Sequence, residues 1–155
     1  MAHGAPDWWS SSKVDVFQQS LSYLTQIAYL GVTDFTETVV EDLSGQILAM
    51  KVEGKGLIMG GIIEVTQSTN LLVNKVQVEI DGAVTMAYTF EDFLTKNITL
   101  PGTWLLYGIK CDTVNNKGLI GITPNLRFDS YFQINIATPS GETTDWIIRL
   151  MAGVY

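Results

Sequence analysis

Residues 52 to 88, VEGKGLIMGGIIEV-TQSTNLLVN-KVQVEIDGAVTMAY, read as three strands and two turns. From Val76 the apolar residues alternate: Val76, Val78 and Ile80 point one way, Gln77 and Glu79 the other. A period of two marks a strand with one buried face. Asp81-Gly82 follows, and such a pair supplies the positive φ angles of a tight two-residue hairpin turn. Val84 and Met86 then resume the alternation on a return strand. Upstream, Gly60-Gly61 interrupts a wholly apolar strand, which predicts a bulge or the close approach of another backbone. A phosphate-binding loop is the rival reading of these glycines. It fails because no helix follows them and their spacing matches neither nucleotide motif.

Working outward, the same signals recur. FTETVVED, from Phe35, reads as a strand ended by Leu43-Ser44-Gly45; QILAMKVEG follows, with Ile47 set against Leu48, Met50 and Val52. Phe90 to Leu94 suggest one helical turn or an irregular crossing. TWLLYGIKCDTV and GLIGIT form a strand pair around Asn115-Asn116-Lys117-Gly118, a cluster that tolerates left-handed backbone. LRFDSYFQINIAT alternates, with Phe128, Phe132, Ile134 and Ile136 inward; Pro139 to Glu142 turn the chain into the final strand, DWIIRLMAGVY. Residues 13–30 fit strand alternation or one face of a short helix, and both readings stay open. Turn signals every ~8–12 residues without βαβ alternation predict an all-β fold: an antiparallel β-sandwich, jelly-roll-like if its connections are Greek-key. Residues 13–155 form one domain on this reading, and residues 1–12 an N-terminal extended arm. Trp8 and Trp9 stand side by side in that arm. They either cap their own core or dock into a neighbouring subunit.

Of 155 residues, 46% are hydrophobic and 16% charged, against about 25% charged in ordinary domains. So much uncharged surface predicts burial against subunit interfaces. The net charge of −7 argues against nucleic-acid and anionic-membrane partners. The opening MAHGAPDWWSSS lacks the basic and apolar regions of a signal peptide, and no apolar run reaches the ~20 residues that span a bilayer. Synthesis in a cytoplasm is the expectation.

Chemistry is sparse. His3 and Cys111 are the single histidine and the single cysteine, which supplies neither a catalytic triad nor a zinc site. Cys111 reads as a small core residue. Glu79, Asp81, Glu91 and Asp92 read as strand-exterior or turn residues rather than a glycosidase pair. Glu41-Asp42 and Glu91-Asp92 are pairs, not the spaced arrays that calcium loops favour. No catalytic residue, cofactor or metal is therefore assigned. Trp104, Tyr107, Tyr131 and Trp146 are candidates for stacking on a sugar, although large residues inside strands more often fill a core.

VEGKGLIMGGII at 52–63, VQVEIDG at 76–82, RFDSYFQINI at 127–136 and a last strand ending at Tyr155 together resemble small β-sandwich virion proteins of bacteriophages, as does the opening MAHGAPD. About two-thirds of the chain is covered. The resemblance implies a virion structural protein, a capsid decoration or tail component, whose partners are copies of itself and other virion proteins. Trp8, Trp9 and Tyr155 are the expected assembly interface. The alternative from a different class is a carbohydrate-binding, receptor-reading β-sandwich module.

Overall fold

In the computed structural model, residues 32–84, 87–101 and 104–155 are described, with side chains from Phe35 onward. Trp8, Trp9, Met86 and the ambiguous residues 13–30 lie outside them.

The strands are β1 (Val32–Leu43), β2 (Gly45–Glu53), β3 (Gly56–Ser68), β4 (Lys75–Ile80), β5 (Ala83–Val84), β6 (Tyr88–Thr89), β7 (Leu106–Asp112), β8 (Lys117–Ile122), β9 (Leu126–Phe128), β10 (Tyr131–Thr138) and β11 (Thr144–Val154). One short helix, α1 (Phe90–Thr95), lies between β6 and β7. Sheet A runs β1-β11-β3-β8-β7, with β9 also on β3; sheet B runs β2-β10-β4-β5, with β6 also on β4. Every pairing among the described strands is antiparallel. The two sheets pack as a sandwich, as the turn spacing predicts.

Alternation explains the core. Val76 and Val78 of β4, Phe132, Ile134 and Ile136 of β10, and Trp146, Ile148 and Leu150 of β11 join one buried cluster. Burying each such side chain stabilises the fold by ~1.5–3 kcal/mol. Asp81 (φ 52°) and Gly82 (φ 82°) make the expected two-residue turn, pairing Ile80 with Ala83. The return strand differs from expectation: β5 is two residues long, and Val84 is 59% exposed because it lies opposite Glu79 on the solvent side of the sheet. Leu48 also departs from expectation. The register of β2 slips at Ala49, between the pairs Ile134–Met50 and Asn135–Leu48, so Met50 is buried while Leu48 faces solvent. LRFDSYFQINIAT is two strands in different sheets, β9 in A and β10 in B.

The glycine pair in β3 fulfils both halves of its reading. Met59 is an extra residue opposite the Met151–Ala152 step, a β-bulge. A Cβ on Gly61 would stand 2.7 Å from the Arg149 carbonyl oxygen, so the neighbouring backbone does approach closely.

At one end of the sandwich a buried amide ties the sheets together. Asn74 donates to Ser68 Oγ (2.9 Å) and the Asn70 carbonyl (3.0 Å), and its oxygen accepts from Thr138 Oγ1 (2.9 Å) and Thr144 Oγ1 (3.0 Å). Trp146 Nε1 donates to Thr138 Oγ1 at 3.4 Å. Among the described residues no buried side-chain polar atom lacks a partner.

Candidate interaction surfaces

The two outer faces of the sandwich differ in chemistry. Strand registers align the solvent side of sheet A in rows. Phe35, Met151 and Gly60 form one row; Glu37, Arg149, Ile62, Gly121 and Tyr107 the next; Val39, Ile147, Glu64, Leu119 and Lys110 the third. Phe35 is 58% exposed, Val39 55% and Met151 42%. A lone exposed apolar side chain needs no explanation, but apolar groups joined across neighbouring strands mark a contact surface.

Glycine shapes this face. A Cβ on Gly60 would meet nothing within 4 Å, so the sheet is hollowed there. The hollow measures about 300 Å³ and is lined by Phe35, Met59, Ile62, Arg149 and Met151 as well as the glycines. Gly121 instead lies under the Tyr107 ring, which fills the place of its missing side chain.

One guanidinium crosses the apolar rows. Arg149 Nε lies 2.5 Å from Glu37 and its Nη1 3.1 Å from Glu64. Hydrogen bonds to both carboxylates raise its pKa further. Three strands, β1, β11 and β3, are thus clasped across the outside of the sheet.

The solvent side of sheet B is mostly polar, with Leu48 and Val84 exposed among polar neighbours. Lys51, Gln133 and Glu79 lie in one row; Gln46, Ala137 and Lys75 lie in another. The Glu79 carboxylate accepts from Tyr131 Oη and from Gln133 Nε2 (2.8 Å), which pushes the Tyr131 phenol up. Lys51 Nζ sits 5.0 Å from the centre of the Tyr131 ring, within cation–π reach. A small hollow of about 40 Å³ is lined by Gln46, Lys75, Gln77 and Asn135.

The sugar-stacking candidates scatter. Trp146 is fully buried in the core, Tyr107 lies on sheet A and Tyr131 on sheet B. Trp104 precedes β7, is 43% exposed and meets Tyr88 edge-on at 6.3 Å. No two of these four form a common platform. Of the expected assembly residues, Trp8 and Trp9 lie outside the described residues. Tyr155 is exposed just past β11, its backbone N–H bonded to the Lys55 carbonyl at 2.9 Å.

The acids take structural places. Asp81 accepts from the backbone N–H groups of Asp129 (2.8 Å), Ser130 (2.6 Å) and Tyr131 (3.0 Å), which lowers its pKa. Asp92 closes a capping box with Thr89 at the start of α1. Lys96 and the Thr89 N–H hold its carboxyl down to about 2. Cys111 packs against the core, and burial raises its thiol pKa. Among the described residues no three His, Cys, Asp or Glu side chains are grouped to hold a metal ion, and no helix is long and apolar enough to cross a membrane.

No protein-family model matches the chain, and no curated protein matches it.

Proposed function

We propose that this chain is a structural subunit that works by mating its surfaces with other protein chains, as a virion component of the bacteriophage kind its sequence resembles. The observation that carries the reading is the outer face of sheet A, where Phe35, Val39 and Met151 stand exposed around a glycine-floored hollow. A soluble sheet with one wet face ordinarily alternates apolar-in and polar-out, as sheet B does apart from Leu48 and Val84. Sheet A departs from that pattern, with Phe35, Val39, Ile147 and Met151 on its outer face beside the Glu37–Arg149–Glu64 cluster. The low charged fraction of the chain supports the same reading.

Light scattering and negative-stain micrographs of the purified full chain test it. Symmetric oligomers or regular assemblies are the expected result. A monomer at every concentration, unaffected by lysine at Phe35 or Val39, would overturn it.

The second reading, a carbohydrate-binding module, draws on sheet B, where Gln46, Gln77 and Asn135 edge a small hollow and Tyr131 lies two positions along β10 from Gln133. Planar amides and a phenol suit sugar hydroxyls and sugar faces. A glycan array bound by the wild type and lost in Tyr131→Ala favours it; silence on the array favours assembly.

A further inference from the structure

We propose that the outer face of sheet A is the seat of a second copy of this chain, the two faces stacked about a two-fold axis. This pairing rests on the assembly reading above and names its partner and surface.

Size favours it. Five strands of sheet A lie side by side. At ~4.8 Å per strand and ~3.3 Å per residue, ten residues long, such a face measures about 24 by 33 Å. That is ~800 Å² per partner, the area one side of a stable protein–protein contact buries.

Shape favours a like partner over an unlike one. A two-fold contact uses the same patch twice, so a projection and the recess that receives it must share one face. Met151 projects next to the hollow over Gly60, in the same row as Phe35. Rotating one copy about an axis through the row sets each projection over the other's recess.

Charge removes the usual objection. The molecule carries −7, so two copies repel at long range. The three rows themselves hold Glu37 and Glu64 against Arg149 and Lys110, two of each sign. A neutral face is one through which acidic molecules can meet. Arg149 is already paired to both carboxylates, so no partner charge is needed to satisfy it. Added salt screens the remaining repulsion and tightens the pair.

Sedimentation of the full chain across a concentration series tests the pairing, with Met151→Lys as the face variant and Val84→Lys, on exposed β5, as the control. Circular dichroism checks that both fold, which the exposure of both positions favours. The expected result is a two-fold oligomer that Val84→Lys retains and Met151→Lys weakens roughly 30-fold or more, the loss a hot-spot residue carries. If Met151→Lys sediments as the wild type does, in the same oligomer, the pairing falls while assembly through another surface stands. If the wild type is monomeric throughout, the pairing and the assembly reading fall together. A monomer whose melting temperature Met151→Lys lowers would show the face packed within a single chain, which also overturns the pairing.

Discussion

A Cβ on Gly56 would stand 2.2 Å from the Gly153 carbonyl oxygen, and one on Gly121 would stand 2.2 Å from the Tyr107 ring. The two distances are equal and the consequences are not. The first obstacle is backbone locked in the β3–β11 ladder; the second is the far end of a side chain that can swing into solvent. Gly56→Ala is therefore expected to destabilise by about 2–3 kcal/mol, and Gly121→Ala by under ~1 kcal/mol, in urea unfolding. Asp81 works by reach rather than by fit. Its carboxylate binds three consecutive backbone N–H groups where the chain passes from β9 to β10. Asp81→Ala removes the acceptor of all three bonds, so amide exchange at Ser130 and Tyr131 is expected to accelerate while that of Ile134 does not change. Exchange at Ser130 as slow as in the wild type would show that the turn holds itself.

At the scale of elements, α1 depends on its cap. A six-residue helix is too short to persist by propagation alone. The reciprocal Thr89–Asp92 bonds and the buried Phe90 and Phe93 hold it in place. Thr89→Ala is expected to cost about 1 kcal/mol, or ~3 °C in Tm. Acid acts on the same cap. The folded state holds the Asp92 carboxyl near about 2, against 3.8 ordinarily, so it favours the ionised form. Its contribution is complete above about pH 4 and disappears as the pH falls towards 2. An Asp92→Asn variant should therefore show a shallower plot of Tm against pH over that window than the wild type, the remaining slope belonging to carboxylates such as Asp81 that are also held down.

The elements also show what alternation conveys and what it hides. β4 and the Asp81-Gly82 turn were legible because turn chemistry and periodicity agree there. The break between β9 and β10 was not legible. Phe128 and Phe132 are four positions apart, an even number, so the inward parity survives the passage between sheets and the sequence looks like one strand. Leu48 was misread for the converse reason: a one-residue slip at Ala49 inverts parity and leaves no mark in composition. The candidate contact face on sheet A was half legible. The run GLIMGGII shows a strand apolar on both sides, but only the ladder sets Met151 and Phe35 beside Gly60. The cover of Gly121 by Tyr107 falls within the strand pair that the Asn115–Gly118 turn announces, but only the pairing register sets that ring on that glycine.

At the scale of the molecule the two outer faces differ: one is mostly polar, the other carries Phe35, Val39 and Met151, and a common core lies between. What keeps those faces in fixed relation is the cluster around Asn74. It draws on the ends of β3 and β11 from one sheet and of β10 from the other. Asn74→Ala would take the amide acceptor from two buried hydroxyls, leaving Thr138 the Trp146 donor and Thr144 the Ser68 hydroxyl, and is expected to destabilise by about 2 kcal/mol, read in urea unfolding. A greasy replacement of similar volume, Asn74→Leu, fills the space but still abandons those hydroxyls, so little recovery is expected. A single polar rivet through both layers also governs how the molecule comes apart. Neither layer can peel away without exposing the other's fastening, so calorimetry should record one sharp melting event, and any particle built from these units should shed them whole.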